Sequence, residues 1–137
     1  MVEAMAPGDR AQVSPDWVAR VYSSAGADAW TLGYSVVRVE DGVEVGHGGF
    51  KGPPKDGVVE IAYGIYPDYE GRGYATEAAR ALVVVAFGSE AVQVVMAHTI
   101  ERRNASARVL EKAGFGLVGE VIDPEDGPVW RWERRRD

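Results

Sequence analysis

The sequence predicts an α/β (α+β) fold, and three observations carry that reading. Runs rich in β-branched and aromatic residues at 30–40 and 43–50 flank Glu40-Asp41-Gly42, the signature of an antiparallel hairpin. A second pair of runs, at 116–122 and 128–133, flanks Asp123-Pro-Glu-Asp-Gly127 in the same way. Between the hairpins, helix-period segments at 74–87 and 104–115 alternate with strand-like runs at 58–66 and 92–99.

Length and composition set limits on what such a fold does. At 137 residues the chain fits a single domain spanning 1–137, with a core of ordinary size. A hydrophobic content of 46% with 26% charged residues belongs to a soluble globular protein. The 21 acidic residues outnumber the 15 basic ones, and the net charge of -6 repels a phosphate backbone. Nucleic acid is therefore not an expected partner, and cationic partners suit the chain better. The absence of cysteine removes disulfides, cysteine-ligated zinc and an acyl-cysteine intermediate together. The N-terminus has no apolar core of a signal peptide and no apolar run reaches roughly 18 residues, so the expected location is cytoplasmic, with no membrane partner.

Along the chain, residues 1–12 carry no period and read as a loosely ordered start. Ser14-Pro15-Asp16 opens a short helix, with Ser14 at the cap, Pro15 at the first helical position and Trp17, Val18, Val21 and Tyr22 on one face. His47 sits among Gly46, Gly48 and Gly49 near the end of the second strand and reads as an ordinary polar residue; no metal site is expected. The segment 51–57 is a loop. In the strand at 58–66, Val59, Ile61, Tyr63 and Ile65 share one face, and Val58, Glu60, Ala62 and Gly64 the other. Glu60 is thus a carboxylate in a strand that otherwise reads as buried, either a structural ion-pair partner or a general base.

Next comes Pro67-Asp-Tyr-Glu-Gly-Arg-Gly-Tyr-Ala-Thr76, a glycine loop that opens directly into an alanine-rich helix. Gly71 and Gly73 let backbone N–H groups approach a ligand, and those groups lie at the positive end of the helix, an anion site. His98, near the end of the strand at 92–99, is a lone imidazole read as structural. Asn104 caps the helix that follows, Ala105, Val109, Leu110 and Ala113 form its apolar side, and Gly114 ends it. Trp130 and Trp132 share one face of the last strand, and 134–136 read as a solvated arginine end.

Three phosphate-binding loops are candidates. A Walker A loop needs Gly-Lys-Ser/Thr after its spacer, and a dinucleotide fingerprint needs a third glycine where Thr76 stands; neither is present. Glu70-x-x-Gly73-x-Ala75 matches Gln/Arg-x-x-Gly-x-Gly/Ala, the loop of the GCN5-related N-acetyltransferases (the GNAT superfamily), except at its first residue. Val59-Glu-Ile-Ala-Tyr-Gly-Ile-Tyr-Pro67 before the loop and Asn104-Ala-Ser-Ala-Arg-Val-Leu-Glu-Lys-Ala-Gly-Phe115 after it extend the match. Over roughly residues 44–133 the chain resembles the branch that contains the bacterial ribosomal-protein-alanine acetyltransferases, the RimJ/RimL type.

That resemblance implies a mixed, mostly antiparallel central sheet flanked by helices, with the fourth and fifth strands splayed to admit acetyl-CoA. It implies that the backbone of Gly64 and Ile65 holds the pantetheine and acyl end. Gly71, Arg72, Gly73, Tyr74, Ala75 and Thr76 would hold the pyrophosphate, with Asn104 lining the cofactor. Glu60 takes the place of a general base and Ser106 that of a proton donor to the departing thiolate, while helix capping is the alternative reading of Asn104 and Ser106. The implied activity is acetyl-CoA-dependent N-acetylation of a primary amine, on a small molecule or a peptide N-terminus, by direct transfer in a ternary complex. A non-catalytic acyl-CoA-binding module of the same fold is the alternative. The part before Trp30 is short for the family, so the usual first strand is expected to be missing or supplied by a partner chain, as in a homodimer. Glu70 places a negative charge beside the pyrophosphate site unless it points away or pairs with Arg72.

Overall fold

The computed structural model describes residues 19–23, 30, 33–100 and 104–136. Seven strands form one mixed sheet in the order β1-β2-β3-β4-β5-β7-β6. They are β1 (Ala19–Ser23), β2 (Tyr34–Arg38), β3 (Glu44–Phe50), β4 (Val58–Ile65), β5 (Val94–Ile100), β6 (Gly116–Asp123) and β7 (Gly127–Arg135). Helix α1 (Tyr74–Phe87) crosses from β4 to β5, and α2 (Ala105–Lys112) from β5 to β6. Every neighbouring pair is antiparallel except β4 and β5.

Both hairpins form where the turn residues place them. Gly42 takes a positive φ of 74°, its N–H donates to the Arg38 carbonyl, and Asp41 Oδ1 accepts from the Val43 N–H. In the second turn Asp123 Oδ1 accepts from the N–H groups of Glu125 and Asp126. A bulge between Val36 and Val37 leaves Val45 opposite no residue of β2 and sends it into the core, where it is fully buried.

The N-terminal expectations need correction. The helix expected through Tyr22 is a strand over Ala19–Ser23, whose backbone pairs antiparallel with β2, Val21 against Val36 and Tyr22 against Ser35. Four apolar residues within six positions fit a helical stripe, but the edge of β2 offers this segment a ladder that satisfies its peptide groups. The first strand is therefore supplied by the chain itself and needs no partner. The expected cap at Ser14 and Pro15, and the start at 1–12, lie outside the described residues.

Both helices pack on one face of the sheet. Val59 and Ile61 of β4, Val95 and Ala97 of β5 and Trp132 of β7 join Ala78, Leu82 and Ala86 of α1 and Leu110 of α2 in one buried cluster. Ala78, Ala79, Ala81 and Ala86 are all at most 1% exposed, and their small side chains bring α1 close to the strands. The Trp132 Nε1–H donates to the buried Thr99 hydroxyl at 2.9 Å, so the one polar atom of that indole is satisfied.

The arginine end is not simply solvated. Arg134 donates to the Ala113 carbonyl behind α2, and Arg136 donates to the carbonyls of Ser89 and Val92 while lying over the Phe87 ring. These cations sit on carbonyls that follow the helix C-termini, where positive charge is favoured. Only Arg135 of the three is exposed.

Gly46 and Gly48 mark the tightest approach of β3 to β4. A Cβ on Gly46 would collide with the Gly64 carbonyl oxygen, and one on Gly48 would lie 2.8 Å from Tyr63 Cβ and 2.9 Å from the Ala62 oxygen. Backbone atoms on both sides leave nothing to yield. Gly46→Ala is expected to lower stability by about 1–3 kcal/mol, as overpacked interiors do. Urea unfolding of the variant with an unchanged midpoint would show that β3 and β4 do not approach this closely.

Candidate active site

The site follows from where β4 and β5 stop pairing. Their parallel ladder covers only Val58, Val59 and Glu60 against Val94, Val95 and Met96. From Ile61 onward β4 keeps β3 on one side, with Phe50 opposite Ile61 and Gly46 opposite Ile65, and has no β5 partner on the other. The peptide groups along this side of β4 line a gap that runs through the sheet.

On the helix side the gap opens into a cleft of about 520 Å³. Tyr63, Gly64 and Ile65 form its sheet wall. The Pro67–Tyr69 turn leads into the glycine loop, in which Gly71 and Gly73 adopt φ of 77° and 86°. Gly73 is the N-cap of α1, and no side chain accepts from the first turn. The N–H groups that a helix leaves without internal partners therefore belong to residues 73–76 of the cleft wall, at the positive end of the helix. α2 closes the opposite wall through Ala105, Ser106, Arg108, Val109 and Lys112.

Of the residues singled out from sequence, the cleft brings together Gly64, Ile65, Gly71, Gly73, Tyr74, Ala75, Thr76 and Ser106. Three stand apart from its walls. Asn104 caps α2, its Oδ1 accepting from the Ala107 N–H at 3.0 Å, which is the capping role open to it. Arg72 turns its guanidinium over the Tyr69 ring, 6.0 Å from the centroid. Glu60 faces the other side of the sheet. Ser106 is exposed in the first turn of α2 and does not cap it.

Sequence reasoning missed the cations of the cleft. Arg108 and Lys112, four residues apart on α2, stand across from the glycine loop, where Glu70 is exposed in the wall. Among the described residues Glu70 has no ion-pair partner, Arg72 included. Arg38 also braces the loop. It is held by Asp41 at 2.6 Å, lies over Tyr69 at 5.4 Å, and is raised above its ordinary pKa first by the Asp41 bond and then by Tyr74. Burial pushes the Tyr63 phenol upward as well, so it stays neutral in the wall.

On the face away from the helices a second group of polar side chains gathers. Register places Ser35 opposite His47 and His47 opposite Gly64, so these residues share that face with Glu60, Ala62 and His98. Glu60 Oε2 meets His98 Nδ1 at 2.9 Å and Lys51 Nζ at 3.3 Å, with side-chain exposures of 16% for Glu60 and 18% for His98. His98 is thus not the lone imidazole expected. Glu44 accepts from the Tyr66 and Ser35 hydroxyls, and His47 lies 5.9 Å from the Tyr66 ring. Among the described residues no helix is long and apolar enough to cross a membrane, and no group of three or more His, Cys, Asp or Glu is placed to hold a metal ion.

The Glu44 contacts make a pH prediction. The Tyr66 hydroxyl first and Ser35 second hold its carboxyl below the ordinary value of 4.5. A lowered native pKa stabilises the fold above the unfolded value, and that contribution is lost as pH falls through the native one. Tyr66→Phe is therefore expected to be less stable than the wild type at pH 7, with the difference closing as pH drops below about 4.5. Thermal unfolding of both proteins at pH 7 and pH 3 measures it; a difference that does not shrink in acid would assign it to the ring rather than to the carboxylate.

Comparison with known proteins agrees with this architecture. The family described as Acetyltransferase (GNAT) domain matches residues 3–116. The chain is 32% identical over 93 residues to an uncharacterized N-acetyltransferase, YjdG, of Bacillus subtilis (strain 168), covering 67% of this chain and 53% of that protein. It therefore spans about half the length of this curated relative. Among solved structures, the aminoglycoside acetyltransferase AAC(6')-Ib in complex with coenzyme A and kanamycin superposes with a TM-score of 0.69 at 25% identity, covering 84% of this chain and 72% of that one. The ribosomal-protein-S5-alanine acetyltransferase from Vibrio fischeri shares the fold, with a TM-score of 0.66 at 19% identity over 77% of this chain and 62% of its own. With the splayed strands, the glycine loop and a family match over most of its length, the chain belongs to the GNAT acetyltransferase family.

Proposed function

We propose that the protein is an acetyl-CoA-dependent N-acetyltransferase that moves an acetyl group directly to a primary amine, on a small molecule or a peptide N-terminus. The observation that carries this reading is Gly64. It has no positive φ and a Cβ built on it meets no described atom within 4 Å, so neither backbone strain nor packing calls for glycine there. A side chain there would project on the far face of the sheet, beside the unpaired edge of β4, and glycine leaves that border of the passage a thioester needs open. A structure of AAC(6')-Ib with acetyl-CoA, which superposes with a TM-score of 0.69 at 25% identity, supports the same cosubstrate here.

Acetyl-CoA supplies an activated acyl group, and the chain's residues do the rest. The N–H groups of 71–76 and the α1 dipole suit a pyrophosphate, and Arg108 and Lys112 offset Glu70 across the cleft. N–H groups on the β5 side of β4 are donors for an oxygen in the gap, each worth roughly 3 kcal/mol when preorganised. Ser106 is the cleft hydroxyl assigned to protonate the thiolate, and Glu60, on the far face, belongs to the group of side chains assigned to proton removal from the amine. That removal matters, because about 10% or more of an α-amine is neutral near pH 7 but well under about 0.1% of a lysine side chain is.

A thiol-release assay with acetyl-CoA and a panel of kanamycin, spermidine and alanine-initiated peptides tests the reading. Turnover on at least one amine is expected; tight acetyl-CoA binding with none would favour a non-catalytic binding module. Gly64→Ala is expected to keep or raise stability, by up to about 1 kcal/mol, while lowering turnover at least tenfold. Equal turnover would remove the gap from the mechanism. Gly73→Val is expected to abolish coenzyme A binding measured by calorimetry, and retained affinity would contradict the anion-site assignment. Ser106→Ala is expected to lower kcat about 10²-fold with coenzyme A affinity kept.

A further inference from the structure

Acetyl transfer to an amine, the reading on which this inference rests, needs one atom that takes a proton from the nitrogen as the N–C bond forms and the C–S bond breaks. Glu60 is poorly placed to be that atom itself. Its Oε2 already meets two donors, His98 Nδ1 at 2.9 Å and Lys51 Nζ at 3.3 Å, so the carboxylate is engaged by partners of its own. Like His98 it lies outside the cleft walls, but on the last residue of β4 that still pairs with β5.

His98 has the complementary arrangement. It stands on β5 two residues beyond Met96, the last residue of β5 paired with β4, and so borders the gap on the far face. A carboxylate only accepts hydrogen bonds, so Nδ1 carries the hydrogen shared with Glu60, and the lone pair is left on Nε2. We propose that His98 Nε2 is the proton acceptor of the reaction and that Glu60 is a positioning residue that holds the imidazole in the Nδ1–H tautomer. The amine nitrogen bonds to the acetyl carbon, its proton passes to Nε2, and the electron pair of the broken C–S bond leaves on sulfur.

The groups facing His98 are consistent with this role. Lys51 stands on the Glu60 carboxylate. Arg131 of β7, the register partner of His98, is engaged by Glu133 at 2.8 Å. Asp123 of β6 is held below its ordinary pKa first by the Asp126 and Glu125 N–H groups. Glu60 thus faces both the imidazole and Lys51, while Arg131 has Glu133 as a carboxylate partner of its own.

The test uses His98→Asn, whose amide N–H2 takes the place of Nδ1 toward Glu60 without supplying a basic nitrogen, beside Glu60→Gln. Initial rates are measured against pH with acetyl-CoA and the amine of the panel that the wild type acetylates fastest, together with coenzyme A affinity and melting temperature. His98→Asn is expected to lose about 10²- to 10⁴-fold in kcat/KM and the acidic limb of the pH profile, with affinity and melting temperature kept. Glu60→Gln is expected to lose less and to retain that limb. Long-range ¹H–¹⁵N spectra, simple in a chain with 2 histidines, should show His98 as the Nδ1–H tautomer in the wild type and a mixture in Glu60→Gln. An acidic limb that survives in His98→Asn, or an Nε2–H tautomer in the wild type, overturns the proposal and leaves the acetyltransferase reading intact. A wild type that binds acetyl-CoA but acetylates no amine on the panel overturns the enzymatic reading, and the proposal with it.

Discussion

The divergence of β4 from β5 is the constraint on which the rest of the structure depends. A parallel pair buried under two helices would ordinarily continue its ladder, because unpaired peptide groups inside a protein are costly. Here the ladder ends after three residue pairs, and β4 is held in place instead by β3 and by α1. The close approach at Gly46 and Gly48 locks one edge of β4, which allows the other edge to remain open. Glycine thus has opposite uses on neighbouring strands. At 46 and 48 the protein's own backbone fills the space a side chain would take, and at 64 that space stays free for something else.

Most of what is local in this fold was legible in the sequence. The hairpin turns, the glycine loop, the bounds of α1 and the Asn104 cap each rest on side chains that act within a few residues of themselves. The failures involve partners distant in sequence. Val21 and Tyr22 read equally well as a helical stripe or a strand, and only the free edge of β2 decides between them. Glu60 and His98 lie 38 residues apart, and their contact depends on the register of β4 with β5, which no local pattern carries. Arg134 and Arg136 looked like a solvated tail because their carbonyl partners lie 21 and 44 residues away. The i, i+4 spacing of Arg108 and Lys112 was the one unread signal that needed no long-range information.

Glu70 illustrates how surroundings change the meaning of a residue. Taken alone beside an anion site it is unfavourable. In the structure it is exposed and faces a wall that carries Arg108 and Lys112, while Arg72 and Arg38 bracket Tyr69 at the base of the same loop. Arg38 has Asp41 as its partner, and the cleft walls themselves carry two cations against one carboxylate in a chain whose net charge is -6. The overall negative charge and the local positive one serve different ends: the first discourages polyanions such as nucleic acid, and the second favours one compact anion at one place.

The sheet also separates two kinds of chemistry. On the helix side, the loop amides and cations suit an anion, and Tyr63 and Ile65 suit an apolar chain. On the far side stand the carboxylates Glu44, Glu60, Asp123 and Glu133 beside the cations Lys51 and Arg131, a polar face unlike the apolar wall of the cleft. On the proposed reading neither side carries out acyl transfer alone, and the strands between them would block it if β4 and β5 stayed paired. Their gap is bordered by Gly64 on one strand and His98 on the other, so the smallest side chain and a titratable one meet at the same opening. An opening of this kind favours a mechanism in which the thioester arrives from one face and the nitrogen from the other. On the proposed reading the proton then leaves on the face where the amine enters, away from the phosphates that hold the donor.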